Sequence, residues 1–202
     1  LTYKETDNFL LGNRIEVGSR QYTVGTFGLS HSTRLFGGLW TFDAGLEQGL
    51  DLFGAVDRGT PAAGSADPHF TKLTATVTAT TPFELSGQNF ELANLFAAQY
   101  SPDNLFGAEQ MALGSYSNVR GSRESLIFGN NGLFIRNELS WRTLPWDNAP
   151  GVTRLLGELR PYLGLDYGHV FAQPRFDIAG GDLASLTVGA RLAGGEVAAL
   201  GA

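Results

Sequence analysis

Hydrophobic and polar residues alternate with a period of two along much of this chain. From Leu39 onward, Trp40, Phe42, Ala44 and Leu46 fall on one face and Thr41, Asp43, Gly45 and Glu47 on the other, the pattern of a strand with one apolar side. The same dyad returns with Leu73, Ala75, Val77 and Ala79 opposite Thr74, Thr76, Thr78 and Thr80, whose β-branched side chains also disfavour helix. A third strand is predicted where Leu133, Ile135, Leu139 and Trp141 oppose Phe134, Arg136, Glu138 and Ser140, with Asn137 interrupting the apolar face. Leu163, Leu165 and Tyr167 against Arg160, Tyr162, Gly164 and Asp166 predict a fourth, and Leu186, Val188, Ala190 and Leu192 against Ser185, Thr187, Gly189 and Arg191 a fifth.

Weaker alternation at 1–7, 14–31, 90–99 and 109–114 brings the expectation to about eight or nine strands, the 14–31 stretch being broken near Ser19 or Arg20. Turn clusters rich in Gly, Asn, Asp and Pro separate them, at 35–38, 86–89, 101–104 and 179–182. Residues 51–68 read as one long loop, and no amphipathic helix is predicted. The fold class is therefore all-β and antiparallel. Alternating strands suit two solvents: a soluble sandwich or lipocalin-like binding barrel turns its apolar faces inward, whereas an outer-membrane barrel turns them to lipid around a wet lumen. Whole charges in mid-strand (Asp43, Arg136, Glu138, Asp166), and Trp40, Tyr100, Trp141 and Trp146 near strand ends where an aromatic girdle would lie, tilt the reading to the membrane.

Composition narrows the classes further. The 202 residues include 27 Gly, no Cys and one Met, and Lys4 and Lys72 are the only lysines among 14 basic residues. With 17% charged and 11% aromatic residues the chain is too apolar for disorder and too polar for a helical membrane protein. A net charge of −6 with dispersed arginines argues against nucleic acid as a partner. Absent cysteine removes disulfides, thiolate metal sites and thiol nucleophiles. His31, His69 and His169 share no ligand spacing, so no metal is expected. Charges such as Glu109, Arg136 and Glu138 are read as solvating a lumen rather than as a catalytic relay, so no enzyme activity, cofactor or small-molecule substrate is expected. The 129–132 run Gly-Asn-Asn-Gly is a turn signal, not a phosphate cradle, because no Lys-Ser/Thr follows it. The start at Leu1, without Met or an apolar leader, reads as a fragment or mature segment.

One stretch is more specific. Gln99-Tyr100-Ser101, Asn104-Leu105, Glu109-Gln110, a Leu-Gly ahead of Val119-Arg120-Gly121, Gly129 and Gly132, then Arg136-Asn137-Glu138-Leu139 and Gly164-Leu165-Asp166-Tyr167-Gly168 follow one another in order. Over 99–170 densely, and over the rest more loosely, this resembles the C-terminal barrel of two-partner secretion transporters, the haemolysin-activator or TpsB-type family. The resemblance implies a barrel of roughly sixteen strands, preceded by POTRA modules that this chain lacks, so that 1–202 is a fragment of the barrel domain. It implies a secreted exoprotein of haemolysin, adhesin or contact-dependent toxin type as passenger, and outer-membrane lipids around the wall. A protein-assembly insertase of the same superfamily is the alternative.

The resemblance further implies that loop 115–131 folds into the lumen with Val119, Arg120 and Gly121 at its tip. Arg120 would pair with Asp166 on the inner wall, while Gly121 and Gly168 permit close approach and Gly164 belongs to the same wall motif. Period two independently puts Asp166 on the polar face, and an arginine fork suits a carboxylate. Such a pair, partly wet, would contribute little stability and act by positioning. Where the family has Phe or Tyr after the tip, this chain has Ser122. With 109–114 counted as a strand, loops 51–68 and 115–131 fall on opposite sides of the membrane, which requires either a missed strand or a long periplasmic turn.

Overall fold

The computed structural model describes residues 1–121 and 126–193. In chain order the strands are β1 (Thr2–Leu10), β2 (Asn13–Leu35), β3 (Gly38–Leu50), β4 (Thr71–Leu85), β5 (Gln88–Tyr100), β6 (Met111–Leu113), β7 (Ile127–Gly129), β8 (Gly132–Arg142), β9 (Glu158–Val170) and β10 (Gly181–Ala193). Eight of them make one antiparallel sheet in the order β1-β2-β3-β4-β5-β8-β9-β10, while β6 and β7 pair only with each other. The chain is a stretch of barrel wall. Strands β3, β5, β9 and β10 have 13 residues each, enough for a tilted strand to cross a bilayer. No helix among the described residues is long and apolar enough to do so.

Register lines up the predicted faces. Trp40 lies opposite Ala79, Phe42 opposite Val77, Val77 opposite Phe96, Phe96 opposite Ile135, and Ile135 opposite Tyr167, so the apolar positions form continuous rows across the sheet. That face points away from the molecule: Leu165 is 55% exposed, Leu186 67% and Val188 76%. The opposite face and the loop against it hold Lys72, Glu109, Arg120, Asn130, Ser140 and Asp166, all buried. Apolar outside and charged inside is the reverse of a soluble barrel, and the lipocalin-like alternative fails on it. One polar pair breaks the outer rows, where Asn94 and Asn137 stand opposite each other in mid-strand and the Asn94 amide donates to Asn137 Oδ1 at 2.6 Å.

The two ends of the sheet carry different connections, apart from the β8–β9 connection 143–157 at the hairpin end and the Leu11-Gly12 turn at the other. At one end, Phe36-Gly37 and Ser86-Gly87 close two-residue hairpins with both residues at positive φ, the primed geometry that matches strand twist. Trp40, Phe83, Phe90, Trp141 and Trp146 gather near this end. At the other end lie the long segments 51–70, 101–131 and 171–180. Loops 51–68 and 115–131 therefore share a side. Segment 109–114 is not a barrel strand: only Met111–Leu113 are extended, and they pair with Ile127–Gly129 inside the loop. With 109–114 inside the loop, segment 51–68 needs neither a missed strand nor a place on the hairpin side.

Two further expectations change. Residues 14–31 lie within one continuous strand, and what breaks near Ser19 is its pairing. β1 runs along the first half of β2 and β3 along the second, and the β1 register shifts between Thr6 and Asn8, where Ser19 Oγ accepts the Asn8 N–H at 2.8 Å in place of a ladder bond. A short helix, α1 (Pro150–Leu156), occupies the β8–β9 connection, with Pro150 at its start and Gly157 after its end. It buries no residue, which is why no apolar periodicity announced it. The apolar core is small and sits at the long-loop end, where Tyr22, Val24, Phe70, Leu105 and Phe106 pack together. Asn104 joins loops 101–131 and 51–70 there, its side-chain amide donating to the Ser65 carbonyl at 2.9 Å and its backbone carbonyl accepting the Asp67 N–H at 2.7 Å.

Candidate functional site

Arg120 is where the 101–131 segment meets the inner wall. Its Nε donates to Asp166 Oδ2 and its Nη2 to Asp166 Oδ1, both at 2.7 Å, and its backbone N–H reaches the same Oδ2 at 3.0 Å. The guanidinium has a third partner, since Nη1 donates to Glu138 Oε2 at 2.6 Å. Side-chain exposure is 3% for Arg120 and 0% for Asp166, so the pair is dry and the expectation of a partly wet one is corrected. The hydrogen bonds Arg120 donates to Asp166 and Glu138 raise its pKa above its ordinary value. The guanidinium is permanently charged here.

Small residues on the wall make room. A Cβ on Gly164 would collide with Arg120 Nη2, so the missing side chain lets the guanidinium lie flat on β9. A Cβ on Gly168 would stand 2.8 Å from Leu113 and 3.0 Å from Val119, both fully buried. Gly121 differs: among the described residues nothing lies within 4 Å of its Cβ position, and its φ of +84° is what requires glycine. The close approach expected of it belongs to Gly164 instead. Ser122 falls outside the described residues.

Sequence reasoning missed the side chains that shape the loop. Asn118 Oδ1 accepts the N–H groups of Gly114 (3.0 Å) and Ser115 (2.9 Å), and its amide donates to the Ala112 carbonyl at 2.7 Å, folding the tip on itself. Asn130 is fully buried and accepts from Leu105 N and Gln110 Nε2, holding the two ends of the segment together. For Asn130 the visible signal is an Asx residue next to a glycine, which fits a solvated turn equally well, while Asn118 stands between Ser117 and Val119 with no such neighbour.

A second polar cluster grips the stem. Glu109 accepts from Lys4 Nζ, from Lys72 Nζ at 2.9 Å and from Tyr22 Oη at 2.9 Å, and Lys72 also reaches Glu47 at 3.1 Å. Both lysines of the chain thus converge on one carboxylate. Burial pushes the Glu109 carboxyl up, but the hydrogen bonds from Lys4 and Lys72 outweigh it and hold the pKa below the usual range. Among the described residues no group of three or more His, Cys, Asp or Glu is placed to hold a metal ion. The arrangement is one of ion pairs that position a loop, with no nucleophile set beside a base.

Known proteins share this architecture. Residues 1–192 match the family described as haemolysin secretion/activation protein ShlB/FhaC/HecB. The outer membrane transporter CdiB of Dickeya dadantii is 32% identical over 193 residues, covering 96% of this chain and 33% of that protein. The hemolysin transporter protein ShlB of Serratia marcescens is 34% identical over 180 residues, covering 89% and 30%. The solved structure of CdiB from Escherichia coli superposes with a TM-score of 0.77 at 29% identity, over 93% of this chain and 33% of that one. This chain spans about a third of the length of these relatives.

Proposed function

The chain belongs to the haemolysin secretion/activation protein family ShlB/FhaC/HecB, and on that premise we propose that it is the loop-bearing part of an outer-membrane transporter that passes a large partner exoprotein through its barrel. The passenger would be of haemolysin, adhesin or contact-dependent toxin type, moving unfolded and without nucleotide or cofactor. Outer-membrane lipids meet the apolar face. No observation favours the insertase reading.

The observation that carries the proposal is the docking of Arg120 on Asp166. A loop filling the lumen obstructs a polypeptide, so transport requires the loop to move, and the ion pair sets where it rests. A buried pair of this kind contributes little net stability against a well-packed apolar alternative, because desolvation offsets the Coulomb attraction. Its contribution is position. Residues Val119, Arg120 and Gly121 act as the tip, and Gly164, Asp166 and Gly168 as the seat.

The test is secretion of the partner exoprotein by the full-length transporter carrying Arg120→Asp, Asp166→Arg or both. Each single change should cut secretion and raise pore conductance. The double change should recover only part, because an aspartate at 120 would still face Glu138. Normal secretion by Arg120→Asp alone removes the latch from the proposal.

A further inference from the structure

The two carboxylates that hold Arg120 each have another arginine at hand on the wall itself. Glu138 is shared, with Oε2 accepting Arg120 Nη1 at 2.6 Å and Arg191 Nη2 at 3.0 Å while Oε1 also accepts from Arg191. Arg191 reaches across from β10 and stacks on Tyr162 with its guanidinium carbon 3.9 Å from the ring centroid. Asp166 lies directly opposite Arg136 in the β8–β9 register, and Arg136 Nε is 4.0 Å from Asp166 Oδ1, beyond hydrogen-bond reach but within one side-chain adjustment. Arg136 is held off by the loop, donating instead to the Ser117 carbonyl at 2.8 Å.

With the loop docked, three arginines share two carboxylates. With the loop gone, the wall keeps two of each. Resting on the latch reading above, we propose that Arg136 and Arg191 are exchange partners that take over Asp166 and Glu138 as Arg120 leaves. Leaving a carboxylate buried without a partner is what makes breaking such a pair expensive. Here the vacated carboxylates are re-paired: Arg191 keeps Glu138, and Arg136, freed from Ser117, closes on Asp166. The wall lowers the barrier to loop release without weakening the docked contact, and Arg136 and Arg191 are positioning residues for transport.

The inference makes a prediction of unusual sign. An arginine that merely braced the site would loosen the loop when removed. Removing Arg191 should tighten it, because the docked state still pairs Glu138 with Arg120 while the released state has nothing for it. The reporter is Val119→Cys in an otherwise cysteine-free full-length transporter in lipid vesicles, since Val119 is fully buried when docked and its thiol reacts with a water-soluble maleimide only when the tip departs. Arg120→Gln should raise the labelling rate by roughly tenfold or more, and Arg191→Gln should lower it by roughly threefold, as population shifts of a two-state loop. In a Glu138→Gln background, Arg191→Gln should change nothing. Labelling that rises or stays level in Arg191→Gln overturns the exchange. If that variant does not assemble, Arg191→Lys, which keeps the charge and loses the fork, is read by the same rule. If Arg120→Gln itself leaves labelling unchanged, the latch reading fails, whatever Arg191 does.

Discussion

The 101–131 segment is held at two places by opposite arrangements of charge. At its tip one cation on the loop, Arg120, sits between two wall anions on β8 and β9. At its stem one anion on the loop, Glu109, sits between two wall cations on β1 and β4, with Tyr22 of β2 beside them. The segment therefore bridges the two flanks of the sheet. Chemistry differs with place. The tip uses a rigid fork in a fixed bidentate geometry, whereas the stem uses flexible ammonium groups that can follow a shifting carboxylate. The stem is also packed into the aromatic cluster through Leu105 and Phe106, while the tip presses Leu113 and Val119 onto Gly168. On the proposed function, a firmly rooted stem with a tip that fits one seat would let the loop swing without leaving.

The largest perturbation should be Arg120→Ala, which takes the loop's cation from between two wall carboxylates and leaves the docked tip without its ion pairs. The docked tip should lose about 3–5 kcal/mol, the cost of removing one partner of a buried pair. Amide exchange at 112–120 in the full transporter would register this as lost protection, with 101–106 unchanged. If both regions lose protection together, tip and stem are not separate anchors. Glu109→Gln comes next, at roughly 2 kcal/mol, since Lys4 is 36% exposed and can rehydrate while Lys72, 8% exposed, cannot. It should lower the thermal transition of the folded barrel, seen as a heat-dependent shift on a gel.

The same variant fixes a pH dependence. The folded Glu109 pKa lies below its ordinary 4.5, so its stabilisation is complete above that value and is lost as pH falls through the folded pKa. The difference between the parent and Glu109→Gln should be flat from neutral pH down to about 5 and close on further acidification. A gap that persists unchanged to pH 3 would assign the effect to packing instead. Gly164→Ala should follow, loosening only the tip by about 1–3 kcal/mol because its methyl collides with the Arg120 guanidinium. The smallest effect belongs to Lys4→Gln, below about 1 kcal/mol for an exposed partner. A larger loss in thermal stability there would mean that β1 depends on the stem.

The sheet was legible because each apolar row is written in its own strand: alternation at Trp40, Leu73, Leu133, Leu163 and Leu186 needs no knowledge of neighbours. Alternation also misled at 109–114, since three extended residues inside a loop obey the same period as a wall strand. The helix at 150–156 was invisible because it packs nothing. Around Arg120, the family motif pointed to Asp166, but Glu138 and Arg191 come from strands whose register only the folded sheet defines. The stem escaped notice for a related reason: Lys4 and Glu109 are 105 residues apart, and Glu109 by itself reads as one more charge solvating a lumen.

The asparagine pair on the lipid face bears on how the wall finds its alignment. A two-residue turn such as Ser86-Gly87 dictates how β4 meets β5, but β5 and β8 are joined through residues 101–131, a tether too long to dictate anything. Slipping β8 by two positions would keep its apolar row facing lipid, so sidedness alone would not reject the error. It would part Asn94 from Asn137 and leave two amides facing hydrocarbon, each at a penalty of several kcal/mol. The blemish in the apolar row thus works as a vernier, marking the one alignment of β5 on β8 at which these two amides meet each other.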